Sequence, residues 1–266
     1  MAKPLFSPKS VFWRVNREIA CSLAAPRAVL MQIAHPLVGA GVAEHSQFRK
    51  HRLLRLYRTS LAAAAITFGS RDFAFRAVRS INRKHEQVHG VLRAQAGSFP
   101  AGTPYDANDP QLKLWVLSTI TDSTLLVYDT FVSKLSAEDR QGYYADSLKV
   151  GELFGIPESI MPPTYDDFRS YFDDMMRGDA IHVSDEARDI VRALFARTPS
   201  GLLLFAGSAV SIAMLPERLR DEFGFRWKFA GRSLWQRVPP VCRVLRRYTP
   251  SLLCAHPAAT FSELFL

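Results

Sequence analysis

Two histidines stand four positions apart in the segment NRKHEQVHG, Asn82 to Gly90, and the five residues from His85 to His89 form a literal HExxH pattern. On a continuous helix, residues three or four apart share a face, so His85 and His89 would stack one above the other beside Val78 and Ile81. Paired imidazoles on one face can serve as metal ligands, although the HxxxH spacing alone is a weak metal signal, and Glu86 would then serve as general base toward a metal-bound water. Zinc hydrolysis is therefore one chemistry the segment offers. It needs a further ligand, for which His182 and Glu152 are unselected candidates. Against it, the surrounding RSINRKHEQVHG is strongly polar, and a motif with three fixed positions arises readily by chance.

A second group lies upstream, in QIAHPLVGAGVAEHSQF from Gln32 to Phe48 and RLYRT from Arg55 to Thr59. Its glycines and alanines permit close backbone approach, as needed around a large planar ligand or at a tight helix crossing. His35, next to Pro36, reads as a structural histidine that caps or kinks a helix. Arg55, Arg58 and Thr59 form an i, i+3, i+4 set that can offer cationic and hydroxyl donors to one pocket. Tyr105 reads first as a packing residue.

The elements that must hold these residues are helices. Apolar residues recur at helical spacing over 15–23, 28–44, 49–68, 73–96, 111–135, 137–154, 165–176 and 187–196, and an apparent strand, LLVYDTFV, lies inside a longer helical stretch. Asp109-Pro110, Ser136 and Thr164 are the start signals for three of these helices. Gly90 reads as an interruption within 73–96 and not as its end. Glycine- and proline-rich loops fall at 97–109 and 151–167. The reading is an all-α, compact multi-helical domain spanning 1–266, with 223–266 as a basic C-terminal extension of it.

Composition narrows the class. With 48% hydrophobic and 22% charged residues, the chain of 266 residues has the make-up of an ordered globular protein. The apolar run Gly201 to Leu215, 15 residues long, is below the roughly 18–20 needed to cross a bilayer and reads as a buried helix. Charges interrupt the N-terminus where an export signal would carry an apolar core, so the expected location is cytoplasmic. Cys21, Cys242 and Cys254 lack metal-knuckle spacing and are expected as free thiols. The net charge of +9 is concentrated, with seven basic residues and no acids between Phe223 and Arg247. No nucleic-acid motif accompanies them, so a nucleic-acid partner is not expected. Two readings stay open: a solvated helix whose aromatic side is buried, or a peripheral contact with an anionic membrane through Trp227, Trp235 and their neighbouring cations.

Several spaced segments occur in one order: RE at Arg17, QIAHPLVGAGVAEHSQF, RLYRT, FG at Phe68, HEQVHG, DP at Asp109, LKLWVLSTITDS from Leu112 and FGIPESIMPPTYDDF from Phe154. This series resembles the oxygenase family of the mycophenolic-acid pathway oxygenase and the latex-clearing rubber oxygenases. The resemblance spans about residues 15–172. It implies an all-helical fold with a globin-like core and, as in the rubber-cleaving branch, one haem b whose iron is held by a histidine matching His85. His35 and His89 are candidates for supporting the same pocket.

The resemblance also implies a distal group of Arg55, Arg58 and Thr59, with Glu44 the nearest acidic candidate for the family's distal glutamate. Arg58 stands where the rubber branch has lysine, and Leu117 where many members have histidine. The expected function is haem-dependent oxidation of a hydrophobic, alkene-containing small molecule by dioxygen. The alternative on the same fold is a non-catalytic haem or lipid binder at an anionic membrane surface.

Overall fold

Helix boundaries fall where side chains can satisfy the free N–H groups of a first turn. The computed structural model describes residues 4–46, 52–196, 198–225 and 229–264. Among them are thirteen α-helices: α1 (Val11–Arg17), α2 (Ala24–Ile33), α3 (Pro36–His45), α4 (Arg52–Phe68), α5 (Arg71–His85), α6 (Pro110–Phe131), α7 (Ala137–Leu153), α8 (Tyr165–Arg177), α9 (Asp185–Leu194), α10 (Pro199–Ala213), α11 (Glu217–Glu222), α12 (Phe229–Tyr248) and α13 (Pro257–Glu263). The expected start signals are in place, and each supplies a cap. Asp109, Ser136 and Thr164 accept from the N–H groups of Gln111, Asp139 and Asp167, each contributing about 1 kcal/mol. The all-α reading holds, with one small sheet added.

The 111–135 segment ends early, at Phe131, and three other expected helices break internally. The 15–23 segment breaks at Glu18, whose backbone is extended between α1 and a 3₁₀ turn over Ile19–Leu23. The 28–44 segment breaks at His35, which is extended because Pro36 disfavours a helical residue before it. His35 is thus the N-cap residue of α3, as its position beside proline suggested.

The third correction bears on function. The 73–96 segment stops being helical at His85, Glu86 closes the last turn, and β1 (His89–Val91) pairs antiparallel with β2 (Pro104–Asp106). Glycine in mid-helix costs about 1 kcal/mol relative to alanine. Here the 88–92 backbone finds other partners: Val88 O accepts from Ala107 N–H at 2.9 Å, and Leu92 N–H donates to Thr103 O at 2.8 Å. His85 and His89 therefore do not stack on one helix.

The core forms around α6. Trp115 on α6 is fully buried and stacks on Phe172 of α8, in a cluster that also takes Leu30 and Met31 of α2 and Ile190 of α9. A second cluster, with Trp13, Phe68 and Tyr143, ties α1, α4 and α7 together. The 201–215 run forms α10 and its end, and Ser208, Ser211, Ile212 and Leu215 are buried. No helix among the described residues is long and apolar enough to cross a membrane. The three cysteines are free thiols, and burial pushes the Cys21 thiol up, keeping it unreactive.

Candidate functional site

The end of α3 meets the small sheet, and polar groups from three elements converge there. The Tyr105 hydroxyl, carried inward by β2, donates to Glu44 Oε2 in a short hydrogen bond. Arg93, just beyond β1, donates through Nε to the other Glu44 oxygen at 2.8 Å. His45 Nε2 lies 3.1 Å from His89 O and 3.3 Å from the Tyr105 oxygen. A carbonyl only accepts, so Nε2 carries the proton in the first of these contacts.

The protonation states follow from this arrangement. The Tyr105 hydrogen bond, aided by Arg93, holds the Glu44 carboxyl below its usual range. Burial, and then the Glu44 carboxylate, push the Tyr105 phenol up. At neutral pH the pair is a phenol donating to a carboxylate.

Glycines make this approach possible. A Cβ on Gly90 would stand 2.6 Å from the Tyr105 oxygen, 2.8 Å from its ring carbon Cζ and 3.1 Å from Glu44 Oε2. At Gly41 it would meet Val88 at 3.2 Å and the Tyr105 ring at 3.6 Å. The small residues of GVAEH and HEQVHG thus serve close packing of the loop on α3. Gly90→Ala should cost about 1–3 kcal/mol by overpacking. Urea unfolding checks this, and a Gly90→Ala, Tyr105→Phe double variant should recover part of the loss because the clashing oxygen is gone.

His85 ends α5. It is half-buried, its Nδ1 is buried without a hydrogen-bond partner, and Asn82 Oδ1 one turn earlier is likewise unpartnered. Burial first, and then the Lys113 ammonium, lower the His85 pKa, with Asp106 opposing. The imidazole is therefore neutral at pH 7. Lys113 is itself held by Phe154 O at 3.0 Å. Glu86 and His89 are exposed, and His89 pairs with Asp106 in the sheet.

The other nominated residues are distributed. His35 is buried against Phe99, its ring 5.3 Å away, and its Nδ1 has no partner. Burial lowers its pKa to about 4. Arg58 and Thr59 are exposed on α4, and the Arg55 side chain lies outside the described residues. Leu117 packs partly buried with Leu114, Ile156 and Met161, so an apolar group fills this position. No three His, Cys, Asp or Glu side chains among the described residues gather as metal ligands, His182 and Glu152 included. An open cleft of about 510 Å³ lies elsewhere, lined by Asp122, Asp129, Arg140, Arg169, Phe172 and others, and no nominated residue lines it.

A neutral buried histidine has a measurable consequence. Its folded pKa near 4 lies below the ordinary 6.5, so between these values the unfolded chain binds a proton that the folded chain refuses. Stability is full above about pH 6.5 and falls progressively toward about pH 4, by on the order of 3 kcal/mol. His85 and His256, also lowered by burial, act in the same direction. Urea unfolding at pH 7 and pH 4.5 should show a smaller loss in His35→Phe than in the parent; equal losses would show that His35 is not responsible.

Comparison with known proteins identifies the family. The family described as ER-bound oxygenase mpaB/B'/Rubber oxygenase, catalytic domain, matches residues 13–247. The chain belongs to that oxygenase family. Similar to it within the curated proteins are Uncharacterized protein Mb2261 of Mycobacterium bovis and Uncharacterized protein Rv2237 of Mycobacterium tuberculosis, each 25% identical over 231 residues, 84% of this chain and 87% of the relative. No solved structure matches. Of the residues that the structure gathers around Glu44, Tyr105 and His85, sequence reasoning left aside His45, Arg93 and Lys113. The adjacent Glu44-His45 pair was the available signal; Arg93 and Lys113 carry none that separates them from ordinary surface cations.

Proposed function

We propose that this chain is a haem-dependent oxygenase acting on a hydrophobic small molecule, with His85 as the residue that would hold the iron of haem b. The observation that carries the reading is the state of that imidazole: it is neutral, half-buried, and has an unpartnered buried nitrogen. Iron ligation requires a neutral ring with a free lone pair, so the donor fits the group. Bound haem would supply activation of dioxygen for oxidation of the substrate.

The chain's own residues do the rest. Tyr105 and Glu44 anchor Gly90, and through it the turn that leaves His85; Glu44, ionised and doubly bonded, positions this loop and is poorly matched to proton exchange at neutral pH. Leu54, Tyr57, Arg58 and Leu61 recur at i, i+3, i+4 and i+7 on α4 and are exposed. An apolar stripe with one guanidinium suits an apolar ligand and an oxygen-directed donor, with the Thr59 hydroxyl next along the helix. Arg58 brings a rigid fork where a lysine would bring a point charge.

The exposure of Arg58 and Thr59 favours a second reading, a haem or lipid binder without turnover. The zinc alternative loses its basis, because HExxH chemistry needs both histidines on one helix and α5 ends at the first. The test is the visible spectrum and metal content of protein purified from haem-supplied cells, followed by oxygen uptake with hydrophobic alkenes. Haem with uptake supports the oxygenase; haem without uptake supports the binder; absence of haem overturns both haem readings.

A further inference from the structure

We infer that the C-terminal half of α12 and the turn after it form a docking face for an anionic bilayer surface. The inference stands apart from the haem reading. Val241, Val244, Leu245 and Tyr248 occupy i, i+3, i+4 and i+7 and are each between 55% and 79% exposed, and Leu252 and Leu253 continue the apolar surface at 63% and 75%. An amphipathic helix normally turns such a stripe to the core. Here a neighbouring side, roughly 100° round the helix, is turned in. Val238 and Cys242 pack against a cluster containing Ala24, Val127, Phe131 and Met214, and Arg246, one turn further on, grips the buried Glu18 carboxylate through two bonds of 2.6 and 2.7 Å. That ion pair fixes the rotation of the helix and keeps the stripe outward. The reading of a buried aromatic side rests on Trp227 and Trp235; Trp227 and the Trp235 side chain lie outside the described residues.

Charge selects the occupant. From Gly224 to Ser262 the sequence has seven basic residues and no acid, and Glu263 is paired with Arg17. Arg247 is exposed and flanks the stripe next to Val244, and Arg243 is half-buried one turn before it; such long cationic side chains can reach headgroups while the apolar groups enter the acyl boundary. A second copy would bring the same positive charge to the same face, and a nucleic acid would leave the six apolar side chains uncovered. An anionic lipid surface satisfies both the charge and the apolar area.

Co-sedimentation of the full chain with phosphatidylcholine vesicles, with and without phosphatidylglycerol, tests the inference. Binding is expected only with the anionic lipid, weakening as salt rises. Arg243→Gln with Arg247→Gln should weaken it by roughly tenfold or more. Leu245→Asp with Leu253→Asp should abolish it while the circular dichroism spectrum and unfolding midpoint stay unchanged; should that variant fail to fold, Val244→Gln with Leu252→Gln is the milder pair. Absence of vesicle binding, equal binding to neutral vesicles, or binding indifferent to the leucine substitutions overturns the proposal. So does a stable dimer by light scattering that the leucine variant dissociates without any vesicle binding, which would assign the face to a second copy.

Discussion

His85→Ala protein purified from haem-supplied cells should lack the haem absorption band that the parent carries, with haem retention lowered by well over tenfold, whereas His89→Ala should retain the band. Removing even a second-sphere partner of a metal ligand typically costs about 10–100-fold in metal affinity, and removing the ligand itself costs more. The two histidines differ because the chain separates them: His85 ends α5 with a buried, unpartnered nitrogen, while His89 is exposed in β1 and contributes its carbonyl to His45. The alanine at position 85 closes a helix and interrupts no described hydrogen bond of the ring, so the circular dichroism spectrum should be unchanged. Added imidazole should restore the band in His85→Ala. Full haem retention in His85→Ala would remove His85 from the ligand position. Stoichiometric zinc without haem, lost on changing either histidine, would return the zinc reading despite the end of the helix.

The sequence was most legible where local chemistry decides structure. Helices α6, α7 and α8 start at the nominated signals because Asp109, Ser136 and Thr164 act within three residues of themselves. The break at His85 was not legible in this way. Residues 86–96 keep a helix-compatible composition, and what ends the helix is pairing of His89–Val91 with Pro104–Asp106, a contact made by folding. Tyr105 looked like packing because its partner Glu44 is 61 positions away. The outward face of α12 was hidden for the same reason: an i, i+3, i+4, i+7 stripe reads alike whether it faces core or solvent. The deciding pair, Glu18 and Arg246, is separated by 228 positions. The family series placed His85 from its motif, but only the folded surroundings show that its ring is neutral and half-buried.

Asp122→Ala should destabilise the protein by about 3–5 kcal/mol, the usual cost of removing one partner from a buried ion pair. The carboxylate comes from the DS of LKLWVLSTITDS and lies almost fully buried on α6. One oxygen accepts from Arg27 Nη1 at 2.7 Å, and the other accepts from Arg169 of α8. Arg27, also buried, donates in addition to Ser123 Oγ at 2.7 Å and to Met214 O at 3.0 Å. One carboxylate therefore joins α2, α6 and α8, and its loss leaves a guanidinium in the core with its charge uncompensated. Most of the cost is that stranded charge, so the effect of Arg27→Met should fall sharply in the Asp122→Ala background, giving a coupling energy of about 1–3 kcal/mol in a double-mutant cycle. The pair is buried, so raised salt should change the measured stability difference little. A loss below about 1 kcal/mol in urea unfolding of Asp122→Ala, or additive single variants, would show that Arg27 finds water or another partner and that this bridge does not hold the three helices together.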